Sequence, residues 1–327
     1  MLNDVNNIFS ENFPWEETVI ETFHYQYQFC EIYHRWCNYL GKNPSNISNW
    51  MDIPFLPIQF FKTHKVITNN NNLESNLIFE SSGTTGQLTS RHYVLQPSIY
   101  EASFLKGFER VYGKPEDWVI MGLLPSYLER SHSSLVYMVD YLIKQSGRSE
   151  NGFYLYEAQK MLQQIDTCLN DGKKVWLIGV TYALLDAAEQ FKSNWNNNLV
   201  VVETGGMKGR KREMIRAEVH ATLQNAWNLP TVHAEYGMTE LLSQAYSKGY
   251  GIFECPPWMK VLVREEDQPL AVHKEGRGVL NVIDLANRHS CSFIATDDMG
   301  TLQSSGQFTV EGRLDVSDIR GCSLMWA

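Results

Sequence analysis

No run of apolar residues in this 327-residue sequence approaches the ~20 residues that a membrane-spanning helix needs. The first residues, MLNDVNNIFSENFPWEE, are acidic and polar, which is unlike a secretory signal. Basic residues are also scarce, because 28 Lys and Arg stand against 37 Asp and Glu, a formal net charge of −9. This balance argues against a broad nucleic-acid surface. We therefore expect a cytoplasmic protein with no membrane span and no nucleic-acid partner.

The cysteines form no CxxC pair, and no histidines stand near them at the spacing of a zinc site. The six lie at positions 30, 37, 168, 255, 291 and 322. In a cytosolic chain of this size a disulfide framework is not expected, and most of the six are predicted to be buried small apolar residues. The sequence also lacks the GK[ST] of a Walker A loop and any recognisable Ser-His-Asp order, so neither a P-loop NTPase nor a triad hydrolase is predicted.

Apolar runs of strand length alternate with amphipathic segments through the first two thirds of the chain. The predicted strands cover residues 118–124, 174–180, 199–203 and 231–235, and the predicted helices cover residues 15–41, 97–112, 133–144, 181–191 and 210–227. Residues 53–61, which contain two prolines, are predicted to be extended. This alternation predicts an α/β fold with a parallel sheet between helices. From about residue 258 the runs become short and β-rich, which predicts antiparallel strands in a subdomain with barrel character.

The sequence is organised around residues 78–93, IFESSGTTGQLTSRHY. A short strand runs into a loop of hydroxyl-bearing residues and glycines, namely Ser81, Ser82, Gly83, Thr84, Thr85 and Gly86. Glycines allow backbone N–H groups to approach an anion closely, and the hydroxyls add further donors. We interpret the segment as a phosphate-binding loop. The loop alone leaves a surface connection between two strands as an equal alternative.

Four polar segments, SSGTTG, LPSY, TGG and YGMTE, each follow a predicted strand. Ligands of parallel sheets bind at the carboxyl ends of strands, so these segments are expected to share one nucleotide site. In YGMTE, Tyr236 offers a flat ring to a purine, Thr239 a hydroxyl to a phosphate, and Glu240 a carboxylate to Mg²⁺. The alternative is a strand-to-helix connection with a threonine cap.

Two further motifs lie in the β-rich part of the chain. In ATDDMG, Asp297 and Asp298 could accept hydrogen bonds from ribose hydroxyls, and the alternative is a type I turn with aspartate caps. In GRLD, Arg313 could reach a phosphate or ribose, and the alternative is a surface turn with an ion pair.

The order SSGTTG, YGMTE, TDDMG and GRLD resembles that of the acyl-adenylate-forming superfamily, which contains acyl-CoA synthetases, luciferases and peptide-synthetase adenylation domains. Four stretches, PFLPIQFFK, FESSGTTG, LPSYLERSHSSL and IRGCSL, more narrowly resemble the LuxE-like acyl-protein synthetases of bacterial bioluminescence operons. The resemblance implies the N-terminal domain of that fold, with parallel sheets flanked by helices and a β-rich barrel-like subdomain. Residues 1–311 would form this large domain, and residues 312–327 a hinge and a truncated stub of the C-terminal domain.

The resemblance also implies a role for each matching residue in binding ATP and Mg²⁺. Residues 81–86 would hold the triphosphate, Tyr236 and Gly237 would lie at the adenine, Thr239 would touch the α-phosphate and Glu240 would bind Mg²⁺. Asp298 would bind the ribose, with Asp297 standing where the family has glycine, and Arg313 matches the arginine of the family's GR motif. The adenine and acyl pocket would be lined by Gly205, Gly206, Met207 and His132, although a simple loop histidine is the alternative for His132.

Two departures from the family pattern matter. Leu88 and Thr89 replace the usual Pro-Lys after the phosphate loop, and Arg91 could supply the missing charge. The resemblance further implies that the C-terminal domain, with the lysine that activates the carboxylate in ordinary acyl-CoA synthetases, is missing or reduced to a stub.

The implied reaction joins a carboxylic acid, expected to be a fatty acid, to AMP with release of pyrophosphate. The acyl group would then pass to Cys322 and on to a partner acyl reductase. Attack on the mixed anhydride requires a thiolate, and Lys208, Arg210 and Arg320 are candidate sources of positive potential. An inert tail cysteine is the alternative for Cys322. Two other functions stay open: an acyl-CoA or aryl-acid ligase that uses another subunit, and a degenerate nucleotide-binding protein with a regulatory or scaffolding role.

Overall fold

Helices and strands alternate through much of the chain, and strands follow one another in its last third. The computed structural model describes residues 8–10, 12–69, 74, 77–81, 88–125, 132–155, 157–195, 198–205 and 214–314. Within these residues the helices are α1 (Trp15–Phe29), α2 (Glu31–Tyr39), α3 (Phe60–Thr63), α4 (Pro97–Tyr112), α5 (Ser134–Ser146), α6 (Ala158–Asn170), α7 (Thr181–Gln190) and α8 (Arg216–Trp227).

The strands in the described residues form one large sheet and one small one. They are β1 (Leu56–Pro57), β2 (Leu77–Glu80), β3 (Arg91–Val94), β4 (Trp118–Leu123), β5 (Gly152–Phe153), β6 (Lys174–Gly179), β7 (Leu199–Glu203), β8 (His233–Tyr236), β9 (Ala245–Ser247), β10 (Phe253–Glu254), β11 (Met259–Arg264), β12 (Val272–His273), β13 (Gly276–Asp284), β14 (Phe293–Leu302) and β15 (Phe308–Arg313). The large sheet has the order β12-β11-β13-β14-β15-β10-β9-β8-β7-β6-β4-β5, and β2 pairs with β3 alone.

The predicted parallel sheet is present as the strands β8, β7, β6, β4 and β5, which pair in parallel. Every residue of β4 is buried, as expected for a parallel strand covered by helices on both faces. Helix α4 covers this part of the sheet, where the rings of Phe108 and Trp176 lie 5.2 Å apart. The carboxyl ends of β6, β7 and β8 therefore meet at one edge of the sheet.

The β-rich last third is antiparallel, as the sequence predicts, and it continues the same sheet. Strand β9 pairs antiparallel with β8 and carries the sheet on through β10 and β15 to β14 and β13. Local sequence patterns cannot show this continuity, because it depends on which strand lies beside β8. The boundary between domain and stub near residue 312 stays a prediction.

Two local predictions differ from the structure near the N-terminus. The predicted helix over residues 15–41 is two helices, because Cys30 is extended with φ −107° and ψ 101°. The segment predicted to be extended over residues 53–61 contains β1, which pairs with β14, and then turns into α3 at Phe60.

The predicted burial of the cysteines is largely confirmed. Cys30, Cys37, Cys168 and Cys291 are buried free thiols, and Cys255 is partly buried. Burial raises the pKa of each, for Cys37 to about 12, so these thiols are poor nucleophiles. In the described part of the chain, no helix combines the length and the apolar content that crossing a membrane requires.

Candidate active site

Three residues from three predicted motifs meet at Asp298. The hydroxyl of Tyr236, at the end of β8, donates to Asp298 Oδ2 over 2.9 Å, and Arg313 Nε donates to Oδ1 over 3.0 Å. Asp298 and Arg313 are register partners in β14 and β15. Asp298 is buried, whereas the Arg313 side chain is 75% exposed, and the pKa of Arg313 is raised by the neighbouring carboxylate. Each carboxylate oxygen keeps a lone pair that can accept a hydrogen bond from a hydroxyl group of a ligand.

The predicted phosphate loop is closed at its base by two serines. Ser81 N–H donates to the Ser90 carbonyl over 3.0 Å, and Ser90 N–H donates to Ser81 Oγ over 2.9 Å. The neighbouring residues Glu80 and Arg91 face each other across β2 and β3. Residues 82–86 of the loop lie outside the described residues.

The buried carboxylate of Glu240 lies next to Ser90, at the base of the phosphate loop. Burial raises its pKa, and the Ser90 hydroxyl, Arg313 and Lys62 oppose that rise by favouring the charged form. Mg²⁺ that is held mainly by phosphate oxygens and water needs only one or two protein carboxylates. The single buried carboxylate of Glu240 fits that requirement. The described residues contain no group of three or more His, Cys, Asp or Glu side chains that could hold a metal ion.

The segment that carries Thr239 and Glu240 is held by buried polar side chains. Asn287 Nδ2 donates to the Glu240 carbonyl over 2.7 Å. Asp284 Oδ2 accepts the N–H groups of Leu242 and Ser243 over 2.8 and 2.9 Å. Because Asn287 and Asp284 are both buried, their hydrogen bonds fix the backbone at Glu240 and just after it.

The glycine turn after β7 is organised by Glu203. Gly205 has φ +77°, a conformation that glycine adopts at little cost, and its N–H donates to Glu203 Oε1 over 2.6 Å. Thr181 donates its hydroxyl to the same oxygen. Oε2 faces Arg216 Nε at 3.4 Å and His220 Nε2 at 3.8 Å. Burial alone would raise the pKa of Glu203, but these partners together lower it to about 2, so the carboxylate stays charged.

Glu235 and Gly237, the residues before and after Tyr236 in the sequence, lie close together in space. A side-chain carbon at Gly237 would stand 2.3 Å from Glu235 Oε1, so the carboxyl occupies the space that the missing side chain leaves. Burial and then the nearby Glu203 charge raise the pKa of Glu235 to about 8.

The other predicted residues have different surroundings. The His132 side chain is exposed, and its carbonyl accepts the Glu80 N–H over 2.9 Å, which places it beside the phosphate loop. Asp297 is bound through both oxygens to Gln59 Nε2, each over 2.7 Å, rather than lying free beside Asp298. Arg91 pairs with Glu80 at 3.2 Å.

Several predicted residues lie outside the described residues, and their roles stay predictions. They are Ser82, Gly83, Thr84, Thr85, Gly86, Gly206, Met207, Lys208, Arg210, Arg320 and Cys322. Sequence reasoning missed Gln59, His92 and Glu203, although Gln59 lies in PFLPIQFFK, His92 lies within residues 78–93 and Glu203 directly precedes TGG.

The fold is that of the large domain of adenylate-forming enzymes. A 2-hydroxyisobutyryl-CoA ligase in complex with R3-HIB-AMP matches 91% of this chain and 67% of its own, with a TM-score of 0.66 and 11% identity. A long-chain-fatty-acid-CoA ligase from Archaeoglobus fulgidus matches 80% of this chain and 56% of its own (TM-score 0.51, 15% identity). O-succinylbenzoate coenzyme A synthetase from Bacillus subtilis, in complex with AMP, matches 74% and 50% (TM-score 0.51, 15% identity).

Sequence comparison confirms the narrower resemblance. The model of the family described as acyl-protein synthetase, LuxE, matches residues 10–114. A long-chain-fatty-acid–luciferin-component ligase from Photorhabdus luminescens is 35% identical over 71 residues, which are 22% of this chain and 60% of that protein. The matched region therefore spans less than two thirds of that relative. The family-model match, over residues 10–114, contains PFLPIQFFK and FESSGTTG.

Proposed function

We propose that this protein activates a carboxylic acid with ATP, forming an acyl-adenylate and pyrophosphate. The observation that carries the proposal is the convergence on Asp298, where Tyr236 and Arg313 bind the two oxygens of one buried carboxylate. These three residues match the adenine, ribose and arginine positions of the adenylate-forming pattern. Glu240 and the serine-closed base of the phosphate loop adjoin the same site.

In the proposed first step a carboxylate oxygen of the acid attacks the α-phosphorus of ATP. The new bond is O–P, the bond between the α-phosphorus and its bridging oxygen breaks, and pyrophosphate leaves with the electron pair. No proton is transferred, so the protein's task is to position the groups and to neutralise charge. Mg²⁺, when bound, supplies part of that neutralisation, and Glu240 would hold it. Asp298 would bind the ribose hydroxyls, and the Thr239 hydroxyl would donate to the α-phosphate.

In the proposed second step the Cys322 thiolate attacks the acyl carbonyl. A C–S bond forms, the C–O bond to AMP breaks, and AMP leaves as its phosphate anion. The five other cysteines support this assignment, because burial makes each of them a poor nucleophile. A fatty acid is the proposed substrate, supported by the name of the Photorhabdus luminescens relative. A partner acyl reductase would then receive the acyl group.

The test is ATP–pyrophosphate exchange with a panel of fatty and aryl acids, on the wild type and on Cys322→Ser. Exchange by both, with acid-stable acyl label on the wild type only, is the expected result. Cys255→Ser serves as the matched control and should be labelled like the wild type. Exchange with label on neither protein would remove Cys322 from the mechanism, and label on added CoA would favour a CoA ligase. ATP binding without exchange for any acid would overturn the proposal in favour of a nucleotide-binding scaffold.

A further inference from the structure

His92 is a buried histidine on β3, just after the predicted phosphate loop, that contacts two distant segments. Its Nδ1 lies 2.9 Å from the carbonyl oxygen of Thr239, and its Nε2 lies 2.8 Å from Ser290 Oγ. The residue is 1% exposed, and the ring of Phe61 packs edge-on at 5.7 Å between ring centroids. Thr239 and Ser290 are 147 and 198 residues away from His92 along the chain.

The two contacts define the chemical state of the ring. A carbonyl oxygen can only accept, so Nδ1 must carry the hydrogen that is donated to Thr239. In a neutral ring Nε2 then accepts, and the Ser290 hydroxyl donates to it. Burial lowers the pKa of His92 to about 4, which keeps the ring neutral at physiological pH. His92 therefore acts as a fixed donor toward Thr239, and it is not a proton carrier.

Ser90, the residue before β3, approaches the same motif. Residues 90 and 92 are two apart in extended chain and point to one face of it. Ser90 faces the Glu240 carboxylate, and His92 donates to the Thr239 carbonyl. Ser90 and His92, a few residues after the phosphate loop, thus contact Glu240 and Thr239, the consecutive residues that are proposed to meet Mg²⁺ and the α-phosphate.

We infer that His92 is a positioning residue for acid activation, which sets the peptide between Thr239 and Glu240 and so aims both side chains at the nucleotide. This inference rests on the proposed function. His92 touches no reacting atom, and its effect reaches the reaction through the Thr239 backbone. Loss of the Nδ1 hydrogen bond should lower kcat for adenylation more than it raises KM for ATP, because a misplaced Thr239 hydroxyl fails chiefly in the transition state.

The test compares His92→Asn with His92→Gln. The side-chain nitrogen of asparagine stands near the place of Nδ1, and that of glutamine near the place of Nε2, so only the asparagine keeps the donor to Thr239. We expect His92→Asn to retain kcat for ATP–pyrophosphate exchange within a few fold. His92→Gln should lose about tenfold, the rate equivalent of one hydrogen bond. Urea denaturation should show the two variants to be similarly stable.

Equal kcat values for the two variants, or losses that simply follow their stability, would overturn the inference. If the wild type shows no exchange with any acid, the proposed function fails instead. In that case the tautomer of the His92 ring, measured without any turnover, decides the positioning role. Nitrogen-15 NMR of the wild-type imidazole gives a readout independent of activity: we expect the neutral Nδ1–H tautomer from pH 6 to 8, and a charged ring or the Nε2–H tautomer would contradict the assignment.

Discussion

The Tyr236 hydroxyl and the Asp298 carboxylate are joined by a 2.9 Å hydrogen bond across 62 residues of sequence. The bond connects the last residue of a parallel strand with the middle of an antiparallel strand, so it links the two halves of the sheet at the proposed ribose site. The Tyr236 ring packs against Phe253 and Phe308, with centroids 5.9 and 5.4 Å away, and the latter two rings stack on each other. Because the ring is held by these contacts and at its hydroxyl, its orientation is set before any ligand binds.

Removing this hydroxyl tests that arrangement. Tyr236→Phe should lower the free energy of unfolding by about 1 kcal/mol, since Asp298 loses one buried donor, and should raise KM for ATP in the exchange assay. Tyr246→Phe is the matched control, because the buried hydroxyl of Tyr246 has no hydrogen-bond partner among the described residues. Urea denaturation of both variants provides the comparison. A larger loss of unfolding free energy in Tyr246→Phe than in Tyr236→Phe would contradict a stabilising role of the Tyr236–Asp298 hydrogen bond.

Replacing Glu203 should disturb both stability and the glycine turn. Glu203→Gln leaves Arg216 and His220 without their buried carboxylate, and we expect the free energy of unfolding at pH 7 to fall by about 3 kcal/mol. The exposed ion pair between Arg277 and Glu311, with distance 2.8 Å, supplies the control. Glu311→Gln should change stability by less than about 1 kcal/mol. Similar denaturation midpoints for the two variants would show that the Glu203 network is not a source of stability.

Glu235 should make the protein less stable as the pH rises. Its pKa is about 8 in the folded protein, against 4.5 for an ordinary glutamate. The folded state therefore holds a proton that the unfolded chain releases between these values. The free energy of unfolding should fall with rising pH over that window, by at most about 1.4 kcal/mol per pH unit from this group. Denaturation series at pH 5.5 and 7.5 should show Glu235→Gln gaining stability relative to the wild type at the higher pH. Parallel pH curves for the two proteins would rule out the raised pKa.

Glu240 offers a test of the magnesium role. Glu240→Gln keeps the shape of the side chain and removes its charge, and we expect the Mg²⁺ concentration for half-maximal exchange to rise about tenfold. Stability should not fall, because burial already disfavours the charged carboxylate. A titration of exchange rate against Mg²⁺, with Glu311→Gln as the control, measures the effect. An unchanged Mg²⁺ requirement would place the metal elsewhere.

Two glycines should respond in opposite ways to alanine. A side-chain carbon at Gly300 would lie 2.0 Å from the Thr309 carbonyl oxygen, so alanine must push β15 away from β14. We expect Gly300→Ala to cost about 2 kcal/mol and to weaken ATP binding, because β15 carries Arg313. Gly107 lies inside α4, and apart from its chain neighbours and the backbone of its own helix no atom lies within 4 Å of the added carbon. Gly107→Ala should stabilise the protein by about 0.5 kcal/mol. Thermal denaturation of both variants measures the two effects. An equal loss of stability in both would contradict the crowding between Gly300 and β15.

The local elements were largely predictable. Helix α4 begins and ends at the residues that its periodicity predicts, and β7 likewise covers Leu199–Glu203. Both have uniform patterns whose ends are marked by proline, glycine or polar residues. The break at Cys30 was missed, because the apolar spacing of α1 continues through it into α2. The turn into α3 was missed because the prolines before it dominate that segment.

By itself the sequence determined the strand and helix types, the polar segments after the strands and the order of the four motifs. These features depend on side-chain periodicity and on residue chemistry within a few positions, and both are local. The tertiary structure alone decided that Asp298 binds Tyr236 and Arg313, that Asp297 binds Gln59, and that His92 reaches Thr239. Such contacts follow from which strands lie side by side and in what register. That choice is made by packing of the whole sheet, which no short stretch of sequence encodes.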